Sequence, residues 1–581
     1  MKELEIIKNG VCNYHIVGAN FSDSCQRYAA AQLQKYIYKS TGVFIPYFSD
    51  RCEKRGPEII IGHTTRDAEQ YLSSEEINTL GEEGCLIRNL GDDLLITGKT
   101  SRGTLYGVYE FCERFLGFRA FTKKEERLDS KDELVLPPVN VTVIPDFEYR
   151  DAYFRRAFEG EFAAKCRLNS TLADLSSEKG GNLKFYNCHH SADDLVEPKR
   201  YFDAHPEYFA LVDGKRNPDQ LCLTNPETQK IATETVLRWI KENPDCRVFS
   251  VAQNDNQNYC RCENCRAVDE AEGSPAGTNI AFVNKVAAEV AKLYPDVLIH
   301  TFAYQYTRIA PKTVRPLPNV IVRLCNIECE WGDDIENIAK QKPDSKTAEF
   351  LRNIKEWSAI CDRLYVWDYA VNFSHYLMPF PNFKTSAENI KIYKKHGIKG
   401  VLQQGNFSYG ASPCMDDLKI YMYGRLMKDT SLNTEELITE FTSGVFGKAG
   451  KYMKEYIDLW CDAARGKYVT LYDQPNAEYV TDELLAETDR LFALALKEAE
   501  TPEIKEKIEY EYLSVDFLKT VRIEDPVLRA AETDRFAKRV RVAGITEIME
   551  RLHLELSFEM MKDNQYACDR SKGYRLYYIV R

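Results

Sequence analysis

From Glu3 to about Pro145 two hydrophobic rhythms alternate along the chain. Within Ser24–Ser40, Ala29, Leu33, Tyr36 and Ile37 recur at helical spacing, and Thr41-Gly42 ends the run, so the spacing predicts a glycine-terminated helix. Glu58–Gly62 is a short apolar run closed by glycine, while Gly84–Asn89 and Asp93–Gly98 are joined across a Gly-Asp-Asp turn. All three read as strands. Ser101–Leu116 returns to helical spacing and stops at Gly117, and Pro137-Pro138 and Pro145 close the segment because proline interrupts helices and inner strands. A small α+β domain over residues 1–145 is expected.

Residues 146–410 repeat a different unit, a β-branched or aromatic run followed by a helical segment. The candidate strands are Tyr149–Phe154, Lys184–Cys188, Val248–Gln253, Leu298–Ala303, Val320–Leu324, Leu364–Trp367 and Ile398–Gln403. Seven are visible and an eighth is not identified. Each passes into polar residues, as in NCHHSADD, QNDNQN, AYQYTR, CNIECEW, DYAVNFSH and QQGNFS. In a parallel barrel the carboxyl ends of the strands converge on one face, where such proteins place their chemistry. From residue 411 to 581 helical spacing dominates, in Asp417–Met427, Asn433–Phe446, Gly450–Ala464, Thr481–Ala499 and Pro502–Ile523. The expectation is an α/β protein with a small α+β N-terminal domain, a central (β/α)8 TIM-like barrel and a C-terminal α-helical domain.

Composition narrows the partners. The net charge of −12 supplies no basic field for a polyanion, so nucleic acid is not expected as a partner. No apolar stretch approaches the length of a membrane span, and Met1–Gly10 alternates like a strand without an apolar signal region. With 18 cysteines in addition, the chain as given is expected to be cytoplasmic, apart from membranes.

The strand ends carry candidate chemistry. Asp255 follows the third candidate strand, Glu328 and Glu330 the fifth, and Asp368 the sixth. Two carboxyl groups across a cleft can serve as acid and base, or acid and nucleophile, around a glycosidic bond. The plainer alternative is that each pairs with an arginine such as Arg155 or Arg323 to close the barrel end. Trp367, Tyr304, Tyr306, Tyr369 and Phe373 offer ring faces for a sugar, while His189, His190, Asn254, His300, Asn326, Gln403, Gln404 and Asn406 offer hydrogen-bonding groups. Arg155 and Arg323, if free of structural partners, suit a substrate carboxylate held in a bidentate fork. A terminal acidic sugar fits that inventory.

Cys260, Cys262 and Cys265 stand within six residues, just after Asp255. Their spacing resembles a soft-metal loop, which needs a fourth ligand from Cys222 or a distant histidine. A structural zinc, a disulfide and free thiols are the three alternatives. No cofactor is expected for catalysis, and neither a glycine-rich phosphate loop nor a Gly-x-Ser-x-Gly elbow is present.

The N-terminal motifs carry a family resemblance. Residues 24–42, Glu58–Gly62, Arg102-Gly-x-x-Tyr-Gly107 and Leu116-Gly-Phe-Arg119 resemble the small α+β domain that precedes the barrel in β-N-acetylhexosaminidases and α-glucuronidases. Ser250–Asp255, the cysteine loop and Val322–Glu328 resemble a bacterial family of uncharacterised barrel proteins found beside such a domain. The resemblance implies glycoside hydrolysis, with an oligosaccharide or glycoside as substrate and α-glucuronidases as the nearest characterised relatives. Hexosaminidases carry an adjacent Asp-Glu pair after a central strand, and no such pair stands at the corresponding ends here. Glu328 is the expected acid and Asp368 the expected base or nucleophile, with Asp255 as a third candidate or positioning group. A non-catalytic carbohydrate-binding protein and a metal-dependent hydrolase or deacetylase are the competing readings.

Overall fold

The computed structural model describes residues 3–66 and 72–563. Leu4–Lys8 is a strand, as the alternation at the start of the chain predicts. A six-stranded sheet follows, in the order Asn140–Val143, Cys85–Leu90, Asp93–Gly98, Glu58–Ile61, His15–Gly18 and Tyr47–Ser49. The helices Ser24–Thr41 and Ser101–Phe115 pack against each other, and the second also lies on the sheet. Gly42 ends the first helix in the left-handed region at φ 71°.

The Arg-Gly-x-x-Tyr-Gly motif is explained by close packing. A β-carbon on Gly103 would lie 2.5 Å from the Gly84 carbonyl oxygen, so the helix can approach the neighbouring backbone only with glycine there. Arg102 pairs with buried Glu83, which also takes the Arg150 guanidinium, and its Nε donates to the Gly180 carbonyl at 2.6 Å. Arg150 lies in the first strand of the central sheet, so the motif docks the small sheet onto the central one.

The central sheet is parallel and curled. Its seven strands are Tyr149–Tyr153, Phe185–Tyr186, Val248–Ser250, Leu298–Ala303, Val320–Cys325, Leu364–Tyr369 and Gly400–Gln404. Each coincides with one of the seven apolar runs. The first strand pairs with the seventh, and pairing then runs in descending order to the second. No ladder joins the first strand to the second. Instead the segment around Asn169–Thr171 bridges them: the Asn169 amide donates to Arg150 O at 3.2 Å, and Thr171 Oγ1 accepts from Phe185 N at 2.6 Å. This is why no eighth strand is evident in the sequence, and the observed arrangement is a barrel-like sheet of seven strands.

Within the curl, Tyr149 and Tyr365 stack with centroids 5.7 Å apart across Gly400, where an added β-carbon would strike the Tyr365 ring and the Tyr149 β-carbon. The predicted turn Asp213-Gly214 joins the hairpin Phe209–Val212 and Lys215–Leu221, and both turn residues have positive φ, as a tight hairpin of this kind requires. Beyond Asp416 every described regular element is helical, and the expected Pro502–Ile523 helix divides into Pro502–Glu511 and Leu513–Val521. Residues 564–581 of the expected C-terminal domain lie outside the described residues. No helix among the described residues is long and apolar enough to cross a membrane.

Candidate functional site

At the carboxyl ends of the central strands lies a cavity of about 440 Å³. Strand alternation builds its wall: Tyr153 ends the first strand, Phe302 lies one residue before the end of the fourth, and Trp367 and Tyr369 share the inner face of the sixth. Tyr304, Phe373, Phe407 and Tyr472 extend the aromatic surface. Trp367 is fixed in place, because its Nε1 donates to Gln404 Oε1 at 2.7 Å and its ring lies 5.9 Å from Phe302 and 5.8 Å from His189.

The polar groups are few. Asp255 accepts from Tyr304 Oη and Gln305 Nε2, both at 3.2 Å. His190 Nδ1 lies 2.6 Å from Gln253 O, and His189 Nδ1 lies 3.2 Å from Cys188 Sγ. Burial, helped by the positive charge of Arg323, pulls His189 down to about 4, so its ring is neutral near pH 7 and can both donate and accept. Glu550 and Arg551 also line it, on the segment before the helix Leu554–Lys562, with Met549 and Leu552 from the same segment and Leu556 and Met560 from the helix.

Of the residues singled out in the sequence, Asp255, His189, His190, Tyr304, Trp367, Tyr369, Phe373 and Gln404 line this cavity. Asp368 does not. It neighbours Trp367 on the same strand and therefore faces the other side, where it accepts from Asn326 Nδ2 at 2.8 Å, Tyr393 Oη at 2.9 Å, Gln403 Nε2 at 3.0 Å and the Tyr369 amide at 2.8 Å. It is fully buried against the helix Phe383–Lys395, and that burial pushes its carboxyl up from the usual range against the pull of those donors. Its expected place beside the substrate is corrected to the sheet–helix interface.

Glu328 is likewise displaced. It follows the end of its strand, where alternation no longer sets direction, and it pairs with Arg308 outside the cavity lining. Glu330 turns to Lys342 at 2.6 Å. The arginine-pairing alternative thus describes Glu328, with Arg308 in place of Arg155 or Arg323. Arg155 stacks on Tyr409 with its guanidinium carbon 3.9 Å from the ring centroid. Asn254 braces its loop, donating to Asp193 Oδ1 at 2.7 Å and Asp219 O at 2.8 Å, and Asn406 Oδ1 caps the Ser408 amide at 2.9 Å. His300 and Arg323 are completely buried; His300 Nδ1 lies 2.9 Å from Ser250 Oγ, and neither residue lines the cavity.

Glu550 and Arg551 were not evident from the sequence. They lie roughly 180 residues beyond Trp367 in a helical region, so no strand-end signal marks them. The only local hint is Arg551 itself, a non-glycine residue with φ 60°, a conformation invisible before the structure.

An α/β sheet whose strand ends open into an aromatic, carboxylate-bearing cavity is glycoside-hydrolase-like in architecture. The chain belongs to the family defined by a domain of unknown function, DUF4838, whose model matches residues 121–458, and residues 8–111 match the glycosyl hydrolase family 67 N-terminus. No curated protein matches the chain. Among solved structures it is similar to a family GH115 4-O-methyl-α-glucuronidase with specificity for decorated arabinogalactans, at 11% identity and a TM-score of 0.57, over 98% of this chain and 80% of that one. A family GH84 protein also matches, at 14% identity and a TM-score of 0.45 over 97% of both chains. At such identities the likeness is one of fold.

Proposed function

We propose that the protein is a glycoside hydrolase that removes a terminal sugar bound in the 440 Å³ cavity, and that the sugar carries a carboxylate. The observation that carries this reading is the lining itself: several aromatic faces around only two carboxylates among the described residues, Asp255 at the strand ends of a glycoside-hydrolase-like sheet and Glu550 on the segment before the helix Leu554–Lys562. Few polar groups in an aromatic pocket suit a ligand that stacks and is oriented by a handful of hydrogen bonds. Asp255 is the assigned acid/base, its orientation set by Tyr304 and Gln305, and Glu550 is the second carboxylate. Arg551, which lines the cavity, supplies the cation for a uronic acid. The glucuronidase activity of the GH115 structure is consistent with that choice.

The test is turnover on a panel of glycosides matched in linkage and capped with either glucuronic acid or glucose. General acid–base catalysis contributes about 10²–10⁴-fold, so Asp255→Asn is expected to lose activity on that scale while Asp368→Asn and Glu328→Gln retain the ability to process substrate. Full turnover by Asp255→Asn overturns the assignment, and equal rates on both caps overturn the acidic sugar. A non-catalytic sugar-binding role is the second reading, favoured by the placement of Glu328 and Asp368 outside the cavity. It is selected if the panel gives binding without hydrolysis.

A further inference from the structure

A second constellation lies away from the cavity wall. Cys222 follows the hairpin strand Lys215–Leu221, Cys260 and Cys262 lie in the loop that leaves the third central strand, and Cys265 sits in the first turn of the helix Glu263–Glu272. Their four sulfur atoms all lie within 4.8 Å of one another, with Cys222 Sγ 3.7 Å from Cys262 Sγ and 4.0 Å from Cys265 Sγ. Thiolates at ~2.3 Å from a tetrahedral zinc are separated by roughly 3.8 Å, close to the separations of Cys222 Sγ from Cys262 Sγ and Cys265 Sγ. A disulfide needs ~2.05 Å and joins sulfurs in pairs, whereas this group is a four-cornered cluster.

The surroundings suit a charged tetrathiolate. Cys222, Cys260 and Cys265 are buried and Cys262 is half-buried, so an ion among them would be shielded from solvent. The Leu211 amide donates to Cys260 Sγ at 3.3 Å, and Thr224 Oγ1 lies 3.1 Å from Cys265 Sγ. Such hydrogen bonds orient and stabilise metal-bound sulfur. Arg216, on the adjacent hairpin strand, donates from Nη1 to the Phe209 carbonyl at 2.7 Å, and its positive charge acts on Cys222, Cys260 and Cys262, offsetting the net negative charge that four thiolates leave on a divalent ion. Cys262 is the N-cap of its helix and makes no side-chain capping bond, which leaves its sulfur at the positive end of the helix dipole and free to ligate.

We propose that Cys222, Cys260, Cys262 and Cys265 form a closed tetrahedral site for a structural zinc ion. Four protein thiolates complete the coordination sphere and leave no open position for water or substrate, so the ion acts as a staple, not as a Lewis acid. What it staples is informative. Gln220, two residues before Cys222, accepts from the Asn254 amide at 3.0 Å and donates to Asn254 O at 2.9 Å, and Asp255 comes next. The ion ties the hairpin to the Asp255 loop at a point five residues beyond the cavity carboxylate. The site stands on the four sulfur positions alone, so its failure and the failure of the glycosidase reading are separate outcomes.

The experiment uses the full chain purified under reducing conditions. Elemental analysis is expected to find about one zinc per chain. Replacement by Co²⁺ is expected to give the intense visible d–d bands and near-ultraviolet thiolate charge-transfer bands of a tetrahedral S₄ site. Cys265→Ser is expected to lose stoichiometric zinc, and the cobalt spectrum of the unmodified chain is a measure independent of that variant's folding. Chelation is expected to speed amide exchange at least tenfold in residues 209–222 and 255–266 while leaving Val320–Cys325 unchanged. Zinc below a tenth of an equivalent, a cobalt spectrum without thiolate bands, a mapped disulfide among these cysteines, or stoichiometric iron in place of zinc each overturn the proposal.

Discussion

Two groups of buried charge in this molecule look alike in sequence and differ in what surrounds them. Where the small N-terminal sheet region meets the helix Asp416–Lys428, Glu110 and Glu113 face Arg167, Arg425 and Lys428. Glu113 lies 2.6 Å from both Arg167 and Arg425, and Glu110 lies 2.9 Å from Lys428. Beneath the cavity floor, Arg323 is equally buried, yet none of its guanidinium nitrogens has a hydrogen-bond acceptor among the described residues. The ring faces of Phe185, Tyr149 and Trp367 surround it at 4.9, 5.5 and 5.5 Å. The first group is mortar between regions of the fold, because each charge is answered by an opposite one. The second sets the electrostatics of the floor, because a guanidinium without a hydrogen-bond acceptor among the described residues projects its field onto nearby groups, Asp151 and His189 among them.

Breaking the mortar has the largest expected effect. Burial alone would push Glu113 up, but Arg167, Arg425 and Lys428 hold it well below the usual carboxylate range. Removing one partner of such a group leaves uncompensated buried charge, at a cost of about 3–5 kcal/mol. Glu113→Gln is therefore expected to lower the unfolding free energy by that amount, read from the shift of the urea midpoint. A loss under about 1 kcal/mol would mean that pairing is not what distinguishes the two groups.

A third group sharpens the contrast because its balance depends on pH. Glu511 accepts the Met415 amide at 2.9 Å, and burial pushes its carboxyl up to about 8, with Asp417 and Asp416 adding to the rise against Arg156. A carboxyl whose folded pKa is raised contributes stability that is complete below its ordinary value of 4.5 and is lost as the pH rises through about 8. At about 1.4 kcal/mol per pH unit the change amounts to a few kcal/mol. Asp416, pushed up to about 6, and Lys419, pulled down to about 8, both by burial first, titrate in the same range. The difference between wild type and Glu511→Gln isolates the glutamate: wild type is expected to lose stability relative to the variant between pH 5 and 8.5. Parallel stability curves would remove Glu511 from the account.

The same contrast shows how far a sequence can be read. All seven central strands were legible because β-branched and aromatic runs announce buried strands whatever their neighbours do. So was the hairpin turn, since Asp-Gly encodes its own backbone. Which carboxylate enters the cavity was not legible. Trp367 and Asp368 differ by one position, and a strand sends adjacent side chains to opposite faces, so the inward one depends on register. Glu328 lies past its strand end, where that rule lapses, and its partner Arg308 comes from another loop. Glu550 comes from a region far away in the chain. For charged residues the deciding information is the partner, and partners are tertiary.

The smallest expected effect on stability belongs to Arg323, and it tests the comparison from the other side. Replacing a buried charge that lacks a close ion-pair partner by an apolar side chain of similar size is close to neutral or stabilising, so Arg323→Met is expected to shift stability by less than about 1 kcal/mol. Its electrostatic effect should nevertheless be plain. His189 is pulled down to about 4 by burial and next by Arg323, so the variant is expected to raise the His189 pKa, read from the imidazole proton shifts across a pH titration. Glu113→Gln, acting on the mortar, should leave that titration where it is. If Arg323→Met costs as much as Glu113→Gln, Arg323 is mortar as well; if it leaves His189 unmoved, the floor does not set the charge state of the cavity. A near-neutral change in stability with a displaced His189 titration is the result expected of a buried cation whose field acts on the cavity.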